Sequence, residues 1–327
     1  MARKSSKINQ RGCFGSLFLY MNAYRSFADY LKQKFGERVQ KISVNGGFTC
    51  PNRDGTKGIG GCVYCDNVSF SPDFENSFMP INEQIEFGIN YFKKKYPTQK
   101  YIAYFQNFSN TYAPIEVLRK KYYEALEHPQ VVGIAVSTRP DCIDNDVIHL
   151  LEEINKSHSV FVELGLESTH NSTLSQLHRC HTYEDFTTAV YRLSEKQLWT
   201  TVHMILGLPN EDKSDVVIHA KQLSLLPLQA VKLHQLQIIK GTKLADLFLK
   251  KQINYSSLTI HDYIDWVIAF LEHLNPTFYI ERFTSESPSD MVLSPKWGPV
   301  KNYHVVEMIR KKMLELGTYQ GRMFELK

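Results

Sequence analysis

No stretch of this 327-residue chain approaches the roughly 20 consecutive apolar residues that cross a bilayer as a helix. Cysteine is scarce: six in all, at positions 13, 50, 62, 65, 142 and 180, too few in too long a chain for a small disulfide-stapled scaffold. An excess of one charge is missing as well. The 38 Lys and Arg against 34 Asp and Glu leave a net +4, which permits a nucleic-acid partner without arguing for one. Low-complexity blocks and internal repeats are absent, and 12% aromatic residues exclude a disordered chain. What is present, 43% hydrophobic residues, suffices for a large core. Arg3, Lys4, Lys7 and Arg11 precede an apolar patch ending near Met21, but Gly15 and Ser16 interrupt it and no small-x-small cleavage pattern follows. Residues 1–20 therefore read as a flexible basic arm, and the protein as cytoplasmic with no membrane partner.

From Tyr24 onward an amphipathic helix to Phe35 is followed by alternating apolar runs and helical stretches, the pattern of parallel βα units. Strands are expected at Val39–Val44, Tyr101–Gln106, Val131–Ser137, Val160–Gly165, Thr200–Leu206 and Ala230–Leu236. Helices are expected at Asn82–Lys95, Pro114–Glu127, Asn145–Lys156, Tyr183–Gln197 and Asp212–Leu226. Six strands are too few to close an eight-stranded barrel. The expected fold is α/β, a partial (β/α)6 TIM-type barrel over residues 21–244. A mostly helical extension over 245–327 carries helices at Leu258–Leu274 and Tyr303–Leu316 and borders the substrate side. Either as a barrel or as an open doubly wound sheet, the active site belongs at the C-terminal strand edges.

The first of those edges carries the informative motif, Cys50-Pro51-Asn52-Arg53-Asp54-Gly55 running on to Gly60-Gly61-Cys62-Val63-Tyr64-Cys65. Its glycines and Pro51 suit a loop folded tightly around something. Thiolates bind soft metals and iron–sulfur clusters. Structural zinc takes four ligands, so a zinc reading of Cys50, Cys62 and Cys65 needs a remote fourth such as Cys13. A four-iron cluster on three thiolates instead leaves one iron open to a substrate or cofactor. Both readings are compatible with the spacing; the zinc one describes a non-catalytic nucleic-acid-binding protein.

This motif resembles the radical S-adenosylmethionine (SAM) superfamily, in particular the Elongator-like branch typified by YhcC and YtqA, which carries the wide gap between Cys50 and Cys62 and an aromatic residue, here Tyr64, before the last cysteine. The resemblance spans about residues 24–327. It implies a [4Fe–4S] cluster on Cys50, Cys62 and Cys65, SAM on the open iron, and a reductant such as flavodoxin or ferredoxin. Its relatives in the branch imply tRNA as substrate, with conversion of carboxymethylaminomethyl-uridine at the wobble position to aminomethyl-uridine. Another RNA or a small-molecule substrate is the alternative.

Further motifs stand at later strand ends. Gln106, Asn110 and Thr111 occupy the place where the superfamily often has Gly-Gly-Glu, and so become candidates, with Tyr64, for contacts to SAM; an Asn/Ser-rich turn is the plainer reading. Ser137-Thr138-Arg139-Pro140-Asp141 matches an Elongator-like motif, giving Ser137 as a cofactor contact and Arg139 as a clamp for a carboxylate or an ion-pair partner of Asp141 or Glu167. Glu163, inside an apolar strand, needs a buried partner and is counted with the candidate cofactor contacts. Glu167 stands where the branch usually has Gln and is a candidate for the ribose hydroxyls. Arg179-Cys180-His181-Thr182 resembles Arg-Gly-His-Thr, with Thr182 a ready N-cap. Gly207 ends a stretch expected against the adenine, and His203 before it reads as a core histidine. Lys240, Arg282 and Lys296 are candidates for a substrate anion, Arg139, Arg282 and Lys296 being the catalytic set, and Trp297 stacks on a base or seals the last helix. RNA contacts would fall on the arm and on Lys93–Lys95, Arg119–Lys121 and Arg310–Lys312, runs that are also ordinary solvated helix faces.

Overall fold

The computed structural model describes residues 23–66, 79–97, 99–298 and 300–325. The basic arm, and with it Cys13, lies outside the described residues. Helix α1 (Phe27–Phe35) leads into β1 (Val39–Val44), and α2 (Ile81–Lys93) into β2 (Lys100–Phe105). The alternation continues with α3 (Ile115–Leu126), β3 (Val131–Thr138), α4 (Asn145–Asn155), β4 (Ser159–Glu167), α5 (Asn171–Gln176), α6 (Tyr183–Glu195), β5 (Trp199–Leu206), α7 (Lys213–Ser224) and β6 (Ala230–Gln235). Then come β7 (Ile238–Ile239), α8 (Lys243–Leu249), α9 (Ile260–His273), β8 (Tyr279–Arg282), β9 (Val292–Ser294) and α10 (Asn302–Glu315).

One seven-stranded sheet runs in the order β1-β2-β3-β4-β5-β6-β8, every neighbouring pair parallel, and curls into a partial barrel. The expected six strands are all present. The seventh, β8, comes from the segment read as an appended extension. Its four residues include Glu281 and Arg282, whose charges face the barrel interior, so the stretch shows no apolar run to announce it. The short β7–β9 pair is antiparallel and separate.

Period-two alternation explains both faces of the sheet. Ala103, Val136, Val162, Val202, Leu206 and Val231 face outward into the main core, where the helices pack. Their inward neighbours form layers. At the N-terminal end Ile102, Tyr104, Ala135 and Phe161 make a small apolar cluster, plugged from below by Phe27 and Leu31 of α1. Above it the inward positions turn polar and charged, and above those lies the cavity at the C-terminal strand ends. The helices are fixed by local chemistry: Ser26, Asp144, Thr182, Asp212, Thr242 and Thr259 each accept a backbone N–H as N-cap, with reciprocal capping boxes at Thr182, Asp212 and Thr259.

Candidate active site

The cysteine loop leaves β1 and folds back across the strand ends. Backbone bonds from Arg53 and Asp54 to the Cys50 carbonyl make its tight turn, and Cys65 N donates to the Cys62 carbonyl at 3.0 Å. Two contacts pin it to distant elements: Val63 N to Leu177 O at 3.1 Å, and Leu244 N to Val63 O at 2.8 Å. Gly61, at φ +86°, holds a left-handed backbone that would strain any other residue, and a Cβ there would stand 3.0 Å from Arg53 Nε.

Cys50, Cys62 and Cys65 form no disulfide among the described residues and line one cavity of about 240 Å³. Around it stand Tyr64, Gln106, Ser137, Arg139, Glu167, Arg179, His203, His234 and Arg282. Cys62 is buried and receives two N–H···S contacts, from Arg179 Nη1 at 3.4 Å and Asn52 Nδ2 at 3.5 Å. Burial, with Cys62 alongside, pushes the metal-free Cys65 thiol up to about 11, while Arg53 and Arg179 oppose the rise. Among the described residues no three His, Cys, Asp or Glu side chains converge as a site for a single metal ion. Three thiols sharing a cavity, one already polarised by N–H donors, are the donor set of a cluster with three protein ligands.

Arg179 is the hub of this end. Its guanidinium reaches Cys62, the Tyr64 hydroxyl at 3.2 Å, His181 Nε2 at 3.1 Å and the Gly165 carbonyl, with Glu167 at 3.7 Å. A Cβ on Gly165 would meet both Arg179 and Glu167 at 3.0 Å. Glu167 therefore faces the cavity already associated with a cation. Arg139 is held by Asp141 at 2.9 and 3.0 Å and donates to the Arg179 carbonyl at 2.6 Å, leaving its Nη1 without a partner.

The floor is a charged layer on the inward strand positions. Glu163, fully buried, accepts from Tyr104 OH at 2.8 Å, Lys232 Nζ at 2.7 Å, His203 Nε2 at 2.7 Å and Lys41. Lys41 and Lys232 also pair with Glu281, at 2.5 and 3.1 Å. Burial alone would raise the Glu163 carboxyl, but Lys232 and Lys41 overcome it and hold it well below the usual range. Burial, helped by Lys232, keeps His203 neutral, so its Nε2–H donates to the carboxylate.

The structure thus brings Tyr64, Gln106, Ser137, Arg139, Glu167 and Arg282 to the cavity with the three cysteines, and sets Glu163 beneath it. It does not bring Asn110, Thr111 or Lys296 there. Asn110 holds the carbonyls of Phe105 and Ser137, and Thr111 bonds Thr138 and the Cys142 carbonyl, both fastening strand ends. Lys296 caps the Val292 carbonyl at 2.6 Å. Gly207, at φ +87°, packs against Leu258 and makes the turn after β5. Trp297 donates to the Leu258 carbonyl at 2.9 Å and lies 5.2 Å from Tyr263, sealing the C-terminal segment onto the core. Lys240 is exposed. Among the basic runs, Arg119 is paired with Glu153 and Arg310 lies over Tyr24. His203 is not an ordinary core histidine: with His234 it lines the cavity, the two rings 5.2 Å apart. The signal was available, since Lys232 and His234, two apart, share the inward face.

Parallel strands, helices outside, and a thiol trio at the C-terminal edge define an iron–sulfur barrel enzyme, and the comparisons agree. Residues 47–223 match the radical SAM superfamily and 228–315 its C-terminal domain, so the chain belongs to that superfamily and is a radical SAM enzyme, a class that uses a [4Fe–4S] cluster and SAM. Within it the chain is similar to YtqA of Bacillus subtilis, 36% identical over 94% of this chain and 96% of YtqA. YhcC of Escherichia coli K12 is 31% identical over 87% and 90%. A tRNA uridine(34) acetyltransferase of Methanocaldococcus jannaschii is 25% identical over 61% of this chain but only 35% of its own length. The solved Methanocaldococcus infernus Elp3 has the same fold, with TM-score 0.66 at 18% identity, over 86% of this chain and 64% of that one. Family membership removes the zinc alternative. Among the described residues no helix is long and apolar enough to cross a membrane.

Proposed function

We propose that this enzyme acts on tRNA, converting carboxymethylaminomethyl-uridine at the wobble position to aminomethyl-uridine, with flavodoxin or ferredoxin as reductant. The observation that carries the reading is a cavity with thiols at one part of its wall and Arg139 and Arg282 at others, suited to a substrate that brings both an unreactive C–H bond and an anion. A relative that acts on tRNA uridine 34 supports the nucleic-acid side of it.

Cys50, Cys62 and Cys65 would hold the cluster, and Gln106, Ser137, Glu167 and Tyr64, which line the same cavity, would contact SAM. When bound, the pair would supply a carbon-centred radical able to take a hydrogen atom from the substrate, and an acceptor for the electron left behind. Loss of a hydrogen atom and then one electron from the N–CH2 carbon leaves an iminium. Water adds to it, and the C–N bond breaks to give the primary amine and glyoxylate. The electron that enters with the reductant is matched by the one that leaves the substrate, so no further oxidant is consumed. The chain's own work is to hold the anion, keep the carbon in register and limit water until the radical has gone. Anaerobic incubation of the reconstituted enzyme with SAM, dithionite and tRNA carrying the carboxymethylaminomethyl group, followed by nucleoside mass spectrometry, tests this. Aminomethyl-uridine and glyoxylate are expected in equal amounts; cofactor cleavage with unchanged uridine would sink the reading.

A further inference from the structure

Besides Arg139 Nη1, two N–H donors on adjoining residues of the cavity wall have no acceptor: Nε of Arg282 and Nε2 of His234. The tautomer of His234 follows from its neighbours. Its Nδ1 lies 3.1 Å from Arg282 Nη2 and 2.5 Å from Ser285 Oγ. A guanidinium has no lone pair to offer, so Nδ1 is the acceptor. Burial, with Arg282 alongside, keeps the ring neutral, which leaves its one proton on Nε2. Both unmatched atoms are therefore donors, and both residues line the cavity.

Charge points the same way. In the layer beneath, Lys41 and Lys232 are balanced by Glu163 and Glu281. Arg282 makes no ion pair among the described residues, so its charge faces the cavity uncompensated. The rival cations are more fully engaged: Arg139 is clamped by Asp141 with only Nη1 unmatched, Arg179 is shared among Cys62, Tyr64, His181 and the Gly165 carbonyl, Arg53 donates to the Cys65 carbonyl, and Lys296 caps a carbonyl outside the cavity.

We propose that Arg282 and His234 form a seat for a carboxylate carried by the substrate, one oxygen taken by the arginine and the other by the histidine N–H. The seat rests on the substrate class proposed above and makes it specific. A backbone phosphate, tied into a polymer, cannot follow donors this deep into the barrel. A carboxylate at the free end of a modified base turned out of its stack can.

Holoenzyme binding to two tRNAs, identical except for carboxymethylaminomethyl- or aminomethyl-uridine, tests the seat. Wild type is expected to prefer the carboxylate by at least tenfold. Arg282→Gln should abolish the preference, Arg282→Lys should keep part of it, and His234→Phe should reduce it several-fold, all with little change for the aminomethyl tRNA. Should Arg282→Gln fail to fold, Arg282→Lys and His234→Phe carry the comparison. A second arm uses N-methylglycine against methylamine as free ligands, read as a rise in melting temperature of wild type that the arginine variants weaken or lose. If wild type ignores the tRNA difference yet shows that rise, the tRNA reading falls and the seat stands. Full preference retained in every folded variant, or absent from wild type in both arms, overturns the seat.

Discussion

Arg179 illustrates how much one side chain fixes at the thiol end. Its guanidinium is buried, its nearest carboxylate is Glu167 at 3.7 Å, and Cys62 lies 3.4 Å from Nη1. A buried cation with one distant counter-ion is left to be matched by negative charge on whatever the thiols hold. Its positive charge and N–H···S bond stabilise the more negative, reduced state of a cluster held there. Arg179→Gln removes the charge and weakens the bond, so the cluster should become harder to reduce. The midpoint potential, read by an anaerobic redox titration, should fall by about 60 mV or more, a factor of ten for one electron. Arg179→Lys should fall between. An unchanged potential at full iron content refutes the role.

At the scale of elements, α1 closes the N-terminal mouth of the barrel. Phe27 is buried, edge-on to Phe161 at 5.4 Å and beside Trp199 at 5.5 Å. Truncating a buried phenylalanine costs about 3–5 kcal/mol in lost transfer energy and unfilled space. Phe27→Ala should destabilise the fold by that amount in a denaturant titration. Iron content of the folded fraction should not change, because the plug packs at the end of the barrel away from the cysteine loop. A loss of iron at equal folding would show that plug and site are coupled. The elements most legible in the sequence are those like β3 and β4, whose outward residues Val136 and Val162 belong to long apolar runs, and α6, announced by the Thr182 cap. The cysteine trio was legible for the same reason: its residues are close in the chain. What escaped was the inward face. Lys41, Glu163, His203, Lys232 and Glu281 meet only because the curled sheet brings β1, at one edge, across the barrel interior to β4, β5, β6 and β8, and no spacing in the chain announces that. Asn110 and Thr111 show the opposite ambiguity. Polar residues at a strand end satisfy backbone carbonyls as readily as they bind a cofactor, and here they do the former.

The whole molecule is built on titratable groups that folding holds in one charge state, and acid should find them in sequence. Burial, with Arg179 and Arg139 nearby, pushes His181 down to about 3, and burial also keeps His203 and His234 neutral. A histidine with a depressed folded pKa binds fewer protons folded than unfolded. Its contribution to stability is complete above the unfolded value near 6.5 and is lost as pH falls below it. For His181 alone, lowering the pH from 7 to 4.5 withdraws about 2–3 kcal/mol, since each unit between the two pKa values is worth about 1.36 kcal/mol. Glu163 acts lower still. Its carboxyl is held below the ordinary range, so its contribution is present above about pH 4.3 and disappears as the pH drops through its folded value. The free energy of unfolding should therefore decline in two overlapping stages, the histidines acting from about pH 6.5 down toward about 3 and Glu163 joining below about pH 4.3, where the slope steepens. Denaturant titrations at half-unit pH steps resolve the two. Glu163→Gln leaves Lys41 and Lys232 sharing Glu281 alone, which should lower stability at pH 7 by about 3–5 kcal/mol and flatten the second stage while sparing the first. A variant whose acid profile keeps both stages would show that the buried layer does not govern the acid response of the fold.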